Sequence, residues 1–327
     1  MAKQPKTLQE AIVYFADPDN CIAYLVERRW PDGNVKCPNC GRDGAVYMPA
    51  RRVWQCKTHH SKSQFSIKVG TVMEDSAIGL DKWLAVMWMV ANSKNGVSSW
   101  EIHRSMGVTQ KTAWFLLHRV RLALHDDRTH KFGSDGSPVE SDEAHVGPNP
   151  RKMHAGRRNK AHAAGRYSNK ATIHGMLDRE LRQVRAKVVP NIKRETLQNV
   201  ILENVAPSAK LYTDQLIAYM GLDEKFVHEV VDHSREYVRG EVHTNGLENF
   251  WSLLKRTLRG TYVAVEPFHM DQYLAEQIFR YNNRATKDNP LTDSDRFALA
   301  VTQIVGKRLT YSQLTGKEEG LPETPTA

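Results

Sequence analysis

Apolar positions first recur at helical spacing: Leu8, Ile12 and Phe15, then Ile22, Leu25 and Val26. This predicts one or two short amphipathic helices within residues 1–33, stopped by Pro31-Asp32-Gly33. Between residues 34 and 72 the pattern becomes short, turn-rich and strand-like. The run LDKWLAVMWMVAN, from Leu80 to Asn92, predicts a strongly apolar helix, and two further helical stretches complete a region 78–125. Residues 126–137 (DDRTHKFGSDGS) read as a linker. A longer region, 138–290, alternates apolar and polar positions up to about residue 233 and then turns helical. Residues 291–327 predict a C-terminal helix followed by the tail TGKEEGLPETPTA, which is polar and proline-containing and is expected to be unstructured. No internal repeat interrupts this organisation.

Length and charge sharpen the picture. A chain of 327 residues suffices for one large domain and one or two small ones, each with a buried core. Lys and Arg number 46 against 37 Asp and Glu, a net charge of +9, which favours a polyanionic partner. No apolar stretch approaches the length of a membrane span, and the start MAKQPKTLQE lacks the apolar core of a secretory signal. The expectation is a cytoplasmic protein without a membrane partner.

Of four cysteines, Cys21 falls on the apolar face of the first helices and reads as core, whereas Cys37, Cys40 and Cys56 cluster with histidines. Cys37 and Cys40 form C-x-x-C followed by Gly41, a knuckle in which two thiolates bite one tetrahedral ion. WQCKTHH supplies Cys56 and a fourth ligand, His59 or His60, and the intervening Val46, Tyr47, Val53 and Trp54 fit a small hairpin. One structural Zn²⁺ is expected, because so small a unit buries too little surface to fold without it.

GVSSWEIHRSMGVTQKTAWFLLHRVRLAL has the grammar of a helix-turn-helix. Ser98 or Ser99 caps a first helix carrying Ile102 and Met106, Gly107-Val108 turns, and Thr109 caps a second helix packed through Ala113, Leu116, Leu117 and Val120. Gln110, Lys111 and Thr112 then stand at the start of the second helix, where such modules reach base edges, with Arg119 further along as another DNA contact.

SPVESDEAHVG reads as a buried strand with Asp142 and Glu143 in its middle, and a carboxylate there is expensive unless paired or holding a metal. Glu143, one residue along, should point to the opposite face and is not chosen as a ligand. AKLYTDQ presents a second strand ending in Asp214. In HTNGLENFWSLLKRTLRGTY, Thr244 or Asn245 can cap a helix whose Glu248 and Lys255 lie two turns apart on one face, with Asn245 one turn before Glu248. Leu247, Trp251, Leu254 and Leu258 form the opposing apolar stripe. The helix containing Phe268, Met270, Tyr273, Leu274, Ile278, Phe279 and Tyr281 reads as core or dimer packing. His145, His243 and His269 receive no role.

Two strand aspartates, a glutamate 34 positions after the second and a lysine seven positions further resemble the signature of DDE transposases and integrases. The phrases VESDEAHVG, LYTDQ, HTNGLENFWSLLKR and QFSIKVGTVMEDS, with the ribbon upstream, closely resemble a bacterial insertion-sequence transposase group related to the Merlin elements. The resemblance runs from about Lys36 to Arg284. It implies an α/β fold, an RNase H-like mixed sheet flanked by helices, preceded by a small zinc ribbon and a helix-turn-helix. It also implies that Asp142, Asp214 and Glu248 are catalytic and hold two Mg²⁺ (or Mn²⁺) ions, and that Lys255, with Arg256 beside it, contacts DNA. Asparagine also occurs at the third position in that group, so Asn245 is a secondary candidate.

A basic insert at 147–170, carrying Arg151, Lys152, Arg157, Arg158 and Lys160, is expected to grip a DNA strand. The function implied is a transposase, a homodimer or larger assembly, that binds terminal inverted repeats and target DNA and acts at the bacterial nucleoid. The alternative is a catalytically silent DNA-binding protein derived from one, against which the intact acids count.

Overall fold

The computed structural model describes residues 4–125, 128–147, 154–156, 159, 170–231, 242–263, 265–287 and 289–318. The chain forms two compact units, Met1–Asp126 together with Asn283–Thr326, and Asp127–Asn282.

In the first unit, helix α1 (Leu8–Phe15) begins at Thr7, whose hydroxyl accepts the Glu10 amide. Helix α2 (Pro18–Arg29) begins at Asp17 with proline in its first turn, where a missing N–H costs nothing. A small antiparallel sheet follows, β1 (Val46–Met48), β2 (Val53–Gln55) and β3 (Gln64–Phe65). The Trp54 ring packs against Tyr47, Phe65 and Trp30. Helix α3 (Leu80–Asn92) is buried along most of its length, as its unbroken apolar run requires. Helices α4 (Ser99–Met106) and α5 (Gln110–Ala123) make the expected helix-turn-helix. Ser98 and Glu101 close a capping box, Gly107 takes the left-handed conformation, and the Thr109 hydroxyl accepts the Thr112 amide. Ala113, Leu116, Leu117 and Val120 are buried.

The second unit is a five-stranded mixed sheet. Strands β4 (Val139–Val146), β5 (Ala171–Asp178), β6 (Gln183–Val189), β7 (Lys210–Asp214) and β8 (Val227–Val231) lie in the order β6-β5-β4-β7-β8. The first three pair antiparallel, and β4, β7 and β8 pair parallel. Helix α6 (Arg194–Asn204) covers one face through Leu197, Val200 and Ile201. Helices α7 (Asn245–Thr257) and α8 (Met270–Asn282) cover the other, where Leu247, Trp251, Leu254 and Leu258 meet Ala144, Ile173 and Leu177. This is the expected RNase H-like mixed sheet flanked by helices. In α8 Met270, Tyr273, Leu274, Ile278 and Tyr281 enter that core, while Phe268, in the preceding turn, is exposed.

Two segments differ from the sequence expectation. Of the expected linker 126–137, the described residues 128–137 are more than a connection: Phe132 is fully buried against Val205, and the buried Asp178 carboxylate accepts the Gly133 amide and the Ser137 hydroxyl. A single phenylalanine anchors what the surrounding polar residues suggested was free. The region expected to span 138–290 also ends earlier, because residues from Asn283 onward belong to the first unit. There the helix Asp293–Thr302 packs on α3, with the Phe297 ring against Phe15, Tyr24 and Trp88. Of the tail expected to be unstructured, residues 315–318 form turns and 319–327 lie outside the described residues.

Candidate metal centres and nucleic-acid interface

The ribbon hairpin brings the sulfurs of Cys37, Cys40 and Cys56 and one ring nitrogen of His60 within 4.8 Å of one another. Cys37 Sγ lies 3.5 Å from His60 Nε2 and Cys40 Sγ 3.6 Å from Cys56 Sγ. Ligands about 2.0–2.3 Å from a tetrahedral zinc ion stand roughly 3.5–3.8 Å apart, so the donor set fits. Of the two histidine candidates, the geometry recruits His60; His59 is outside the group. Gly41 adopts positive φ and its amide returns to Cys37 O, the tight turn that the C-x-x-C knuckle needs. Burial opposes ionisation of Cys56, but the Thr58 amide, the His60 ring and the other two sulfurs outweigh it and bring its thiol down to about 6. Cys21 is buried in the core, as read from the sequence.

In the second unit, β4 and the end of β7 place Asp142, Glu143 and Asp214 so that one carboxylate oxygen of each lies within 4.8 Å of the others. Asp142 and Glu143 leave β4 toward opposite faces. Asp142 Oδ2 accepts the Trp251 indole at 3.0 Å, whereas Glu143 receives the Tyr219 hydroxyl and lies 4.0 Å from His174 Nε2. Asp214 Oδ1 accepts the Leu216 amide at 3.0 Å, which turns the chain away from the strand end. Burial, then the charges of Asp214 and Glu248, push the Asp142 carboxyl up to about 6, and burial with the charges of Asp142 and Asp214 pushes Glu143 up to about 9. Crowded, partly desolvated oxygens of one sign are what a hard divalent cation neutralises, so these residues fit Mg²⁺ or Mn²⁺.

Glu248 is exposed on α7 and faces the same cleft, of about 770 Å³, as Asp142 and Glu143. One turn and two turns along the same helix stand Ser252 and Lys255, followed by Arg256 and Arg259, so the cleft has an acidic floor and a basic wall. Asn245 sits at the first position of α7, exposed and outside the residues lining that cleft. The helix is not capped by its own N-terminal side chains: Thr244 makes no capping bond, and Glu140 from β4 accepts the Leu247 amide at 3.0 Å. His145 is hydrogen-bonded to Thr172, and His243 meets Arg179. Strand alternation points Glu143 away from Asp142, yet its longer side chain still reaches the group, and Trp251, legible in the sequence only as part of the apolar stripe, also lines the cleft.

Among the proposed DNA contacts, Lys111 is exposed, with its ammonium over the Tyr311 ring. The Gln110 amide donates to Ser99 Oγ at 2.9 Å, and the Thr112 hydroxyl pairs with Thr109. Arg119 is a correction: only 4% exposed, it donates to Glu74 O and lies over the Trp83 and Phe115 rings, inside the first unit. Arg151, Lys152, Arg157, Arg158 and Lys160 lie outside the described residues. Among the described residues no helix is long and apolar enough to cross a membrane.

Comparison with known proteins agrees with this geometry. Residues 134–282 match the ISXO2-like transposase domain, and residues 16–59 match the transposase zinc-ribbon domain. An uncharacterized protein in transposable element ISH50 of Halobacterium salinarum is 29% identical over 246 residues, covering 72% of this chain and 81% of that protein. An uncharacterized transposase-like protein of Haemophilus influenzae is 36% identical over 101 residues, 31% of this chain and 81% of that protein. With an acidic cluster on the sheet of one matched domain and a Cys₃His cluster at the other, the chain belongs to the zinc-ribbon DDE transposases of the ISXO2-like family.

Proposed function

We propose that this protein is an active cut-and-paste transposase that binds the terminal inverted repeats of its own element and catalyses DNA cleavage and strand transfer. The observation that carries the reading is the meeting of Asp142, within β4, and Asp214, at the end of the parallel strand β7, with Glu248 and Lys255 of α7 on the cleft that Asp142 lines. Asp142, Asp214 and Glu248 would hold the ions, with Glu143 within reach of the first two. Two bound divalent ions supply activation of the attacking hydroxyl and stabilisation of the leaving oxygen in an in-line displacement.

The chain's own groups then have distinct tasks. Lys255, Arg256 and Arg259 line the cleft as phosphate-binding cations, so they hold the backbone of a DNA end beside the acids. Trp251 fixes the Asp142 carboxylate through Oδ2 and so sets the orientation in which it would meet an ion. In the first unit, a zinc-stabilised ribbon and the N-terminus of α5 with Lys111 supply duplex recognition, and the basic insert at 147–170 adds a grip on the strand. Action as a homodimer or larger assembly at the nucleoid and descent shared with Merlin elements belong to the same reading.

The test is Mg²⁺- or Mn²⁺-dependent cleavage and joining on a duplex carrying the element's end, with wild type beside Asp214→Ala. Joined products that vanish in the variant support the proposal. Tight binding by the wild type without metal-dependent cutting would point instead to a DNA-binding derivative.

A further inference from the structure

Strand β4 carries two acidic side chains toward α7, Glu140 and Asp142, and the reaction proposed above uses only the second. Glu140 is almost wholly buried, which is costly for a carboxylate unless every lone pair is used. Its Oε1 accepts Arg179 Nε at 2.8 Å and its Oε2 accepts the Leu247 amide at 3.0 Å. Arg179 Nη2 in turn donates to the carbonyl oxygen of His243, two residues before α7, and reaches His243 Nδ1, both at 2.7 Å. Gly246 completes the fit: a Cβ there would stand 2.9 Å from Glu140 Oε2 and 3.1 Å from Oε1. One turn further along α7, the Trp251 indole reaches Asp142. The helix is thus fastened to one face of β4 at two points.

Glu248 follows Leu247 directly, in the first turn of α7, where helices fray and where four amides lack partners within the helix. A buried anion at that turn satisfies an amide and complements the helix dipole. We propose that Glu140 is a positioning residue of the catalytic centre: it pins the first turn of α7 to β4, so that Glu248 is set across from Asp142 before any ion binds. The inference rests on the metal-dependent reading given above and assigns Glu140 no contact with substrate.

The experiment is Mn²⁺ binding to the full-length chain, followed by electron paramagnetic resonance well below the unfolding temperature, with Mn²⁺-dependent cleavage alongside. Glu140→Ala keeps every proposed ligand and is expected to lose roughly 10- to 100-fold in Mn²⁺ affinity, with cleavage recovering at saturating Mn²⁺. Glu140→Gln, which retains an oxygen for the Leu247 amide, should lose less. A folded Glu140→Ala chain with wild-type Mn²⁺ affinity, whatever its melting temperature, overturns the proposal. If Glu140→Ala fails to fold, Gly246→Ala takes its place, since it presses a methyl group against Glu140 and removes no acid; unchanged affinity there overturns the proposal equally. Asp214→Ala separates the two ideas. Lost binding there with intact binding in the Glu140 variant removes the clamp alone, and intact binding in Asp214→Ala removes the metal site and the clamp together.

Discussion

The Trp251 indole donates to Asp142 Oδ2 at 3.0 Å while its ring lies so close over Gly175 that a Cβ there would come within 2.7 Å of it. One tryptophan therefore orients a proposed metal ligand and seals α7 onto β5. Trp251→Phe should keep most of the packing and lose the bond to the carboxylate, worth about 1.5–3 kcal/mol where the acceptor is charged. Gly175→Ala should destabilise the domain by about 1–3 kcal/mol through overpacking. Thermal unfolding of both variants, with cleavage rates for the first, checks the pair.

The acid pair makes metal affinity depend on pH. With the Asp142 carboxyl raised to about 6, mainly by burial, a proton must leave before an ion binds, so Mn²⁺ affinity should climb between pH 5 and 7. Stability of the metal-free centre follows the opposite sign. The folded state holds this proton more tightly than the unfolded state does, so stability should fall by up to about 3 kcal/mol as pH rises from about 4 to about 6. Melting curves across that range with and without Mn²⁺, zinc kept bound, would read both effects.

His60 and His59 separate cleanly by substitution. Since His60 completes the sulfur cluster, His60→Ala should lower bound zinc in the purified chain and loosen the ribbon, whereas His59→Ala should retain one zinc per chain. Elemental analysis of the two proteins decides it. Equal zinc in both would mean that the ribbon exchanges one histidine for the other.

Basic residues of the first unit divide into interior and exterior. Arg119→Ala removes the bond to Glu74 O and the stacking on Trp83, and should cost about 2–3 kcal/mol of stability. Lys111→Ala, on the exposed start of α5, should leave the melting temperature nearly unchanged and weaken DNA binding. In the catalytic cleft, Lys255→Ala should reduce the dependence of log affinity on log salt by about one. Salt titrations of binding beside calorimetry distinguish the three.

Much of the architecture is legible in the residues because it is set by local rules. Ser98 with Glu101, Thr109, Gly107 and the C-x-x-C knuckle each announce a helix start, a turn or a ligand pair within a few positions. Asp142 and Asp214 stand out because a carboxylate in an apolar strand demands a reason. What the sequence hides depends on partners far along the chain. Phe132 finds Val205, Glu140 caps a helix that begins at Asn245, and Phe297 fills a hole among Phe15, Tyr24 and Trp88. Arg119 deceives because an arginine on a helix ordinarily marks solvent, while here a carbonyl and two aromatic rings make the interior hospitable.

The return of Asn283–Thr326 to the first unit has a consequence for protein synthesis. As the chain leaves the ribosome, α1, α2 and α3 emerge early, yet the aromatic pocket they form waits for Phe297 until the entire catalytic domain has been translated. A message cut or frameshifted anywhere before that point releases a first unit with an open core, a target for proteases. Damaged copies of the gene would therefore yield few stable fragments of the first unit.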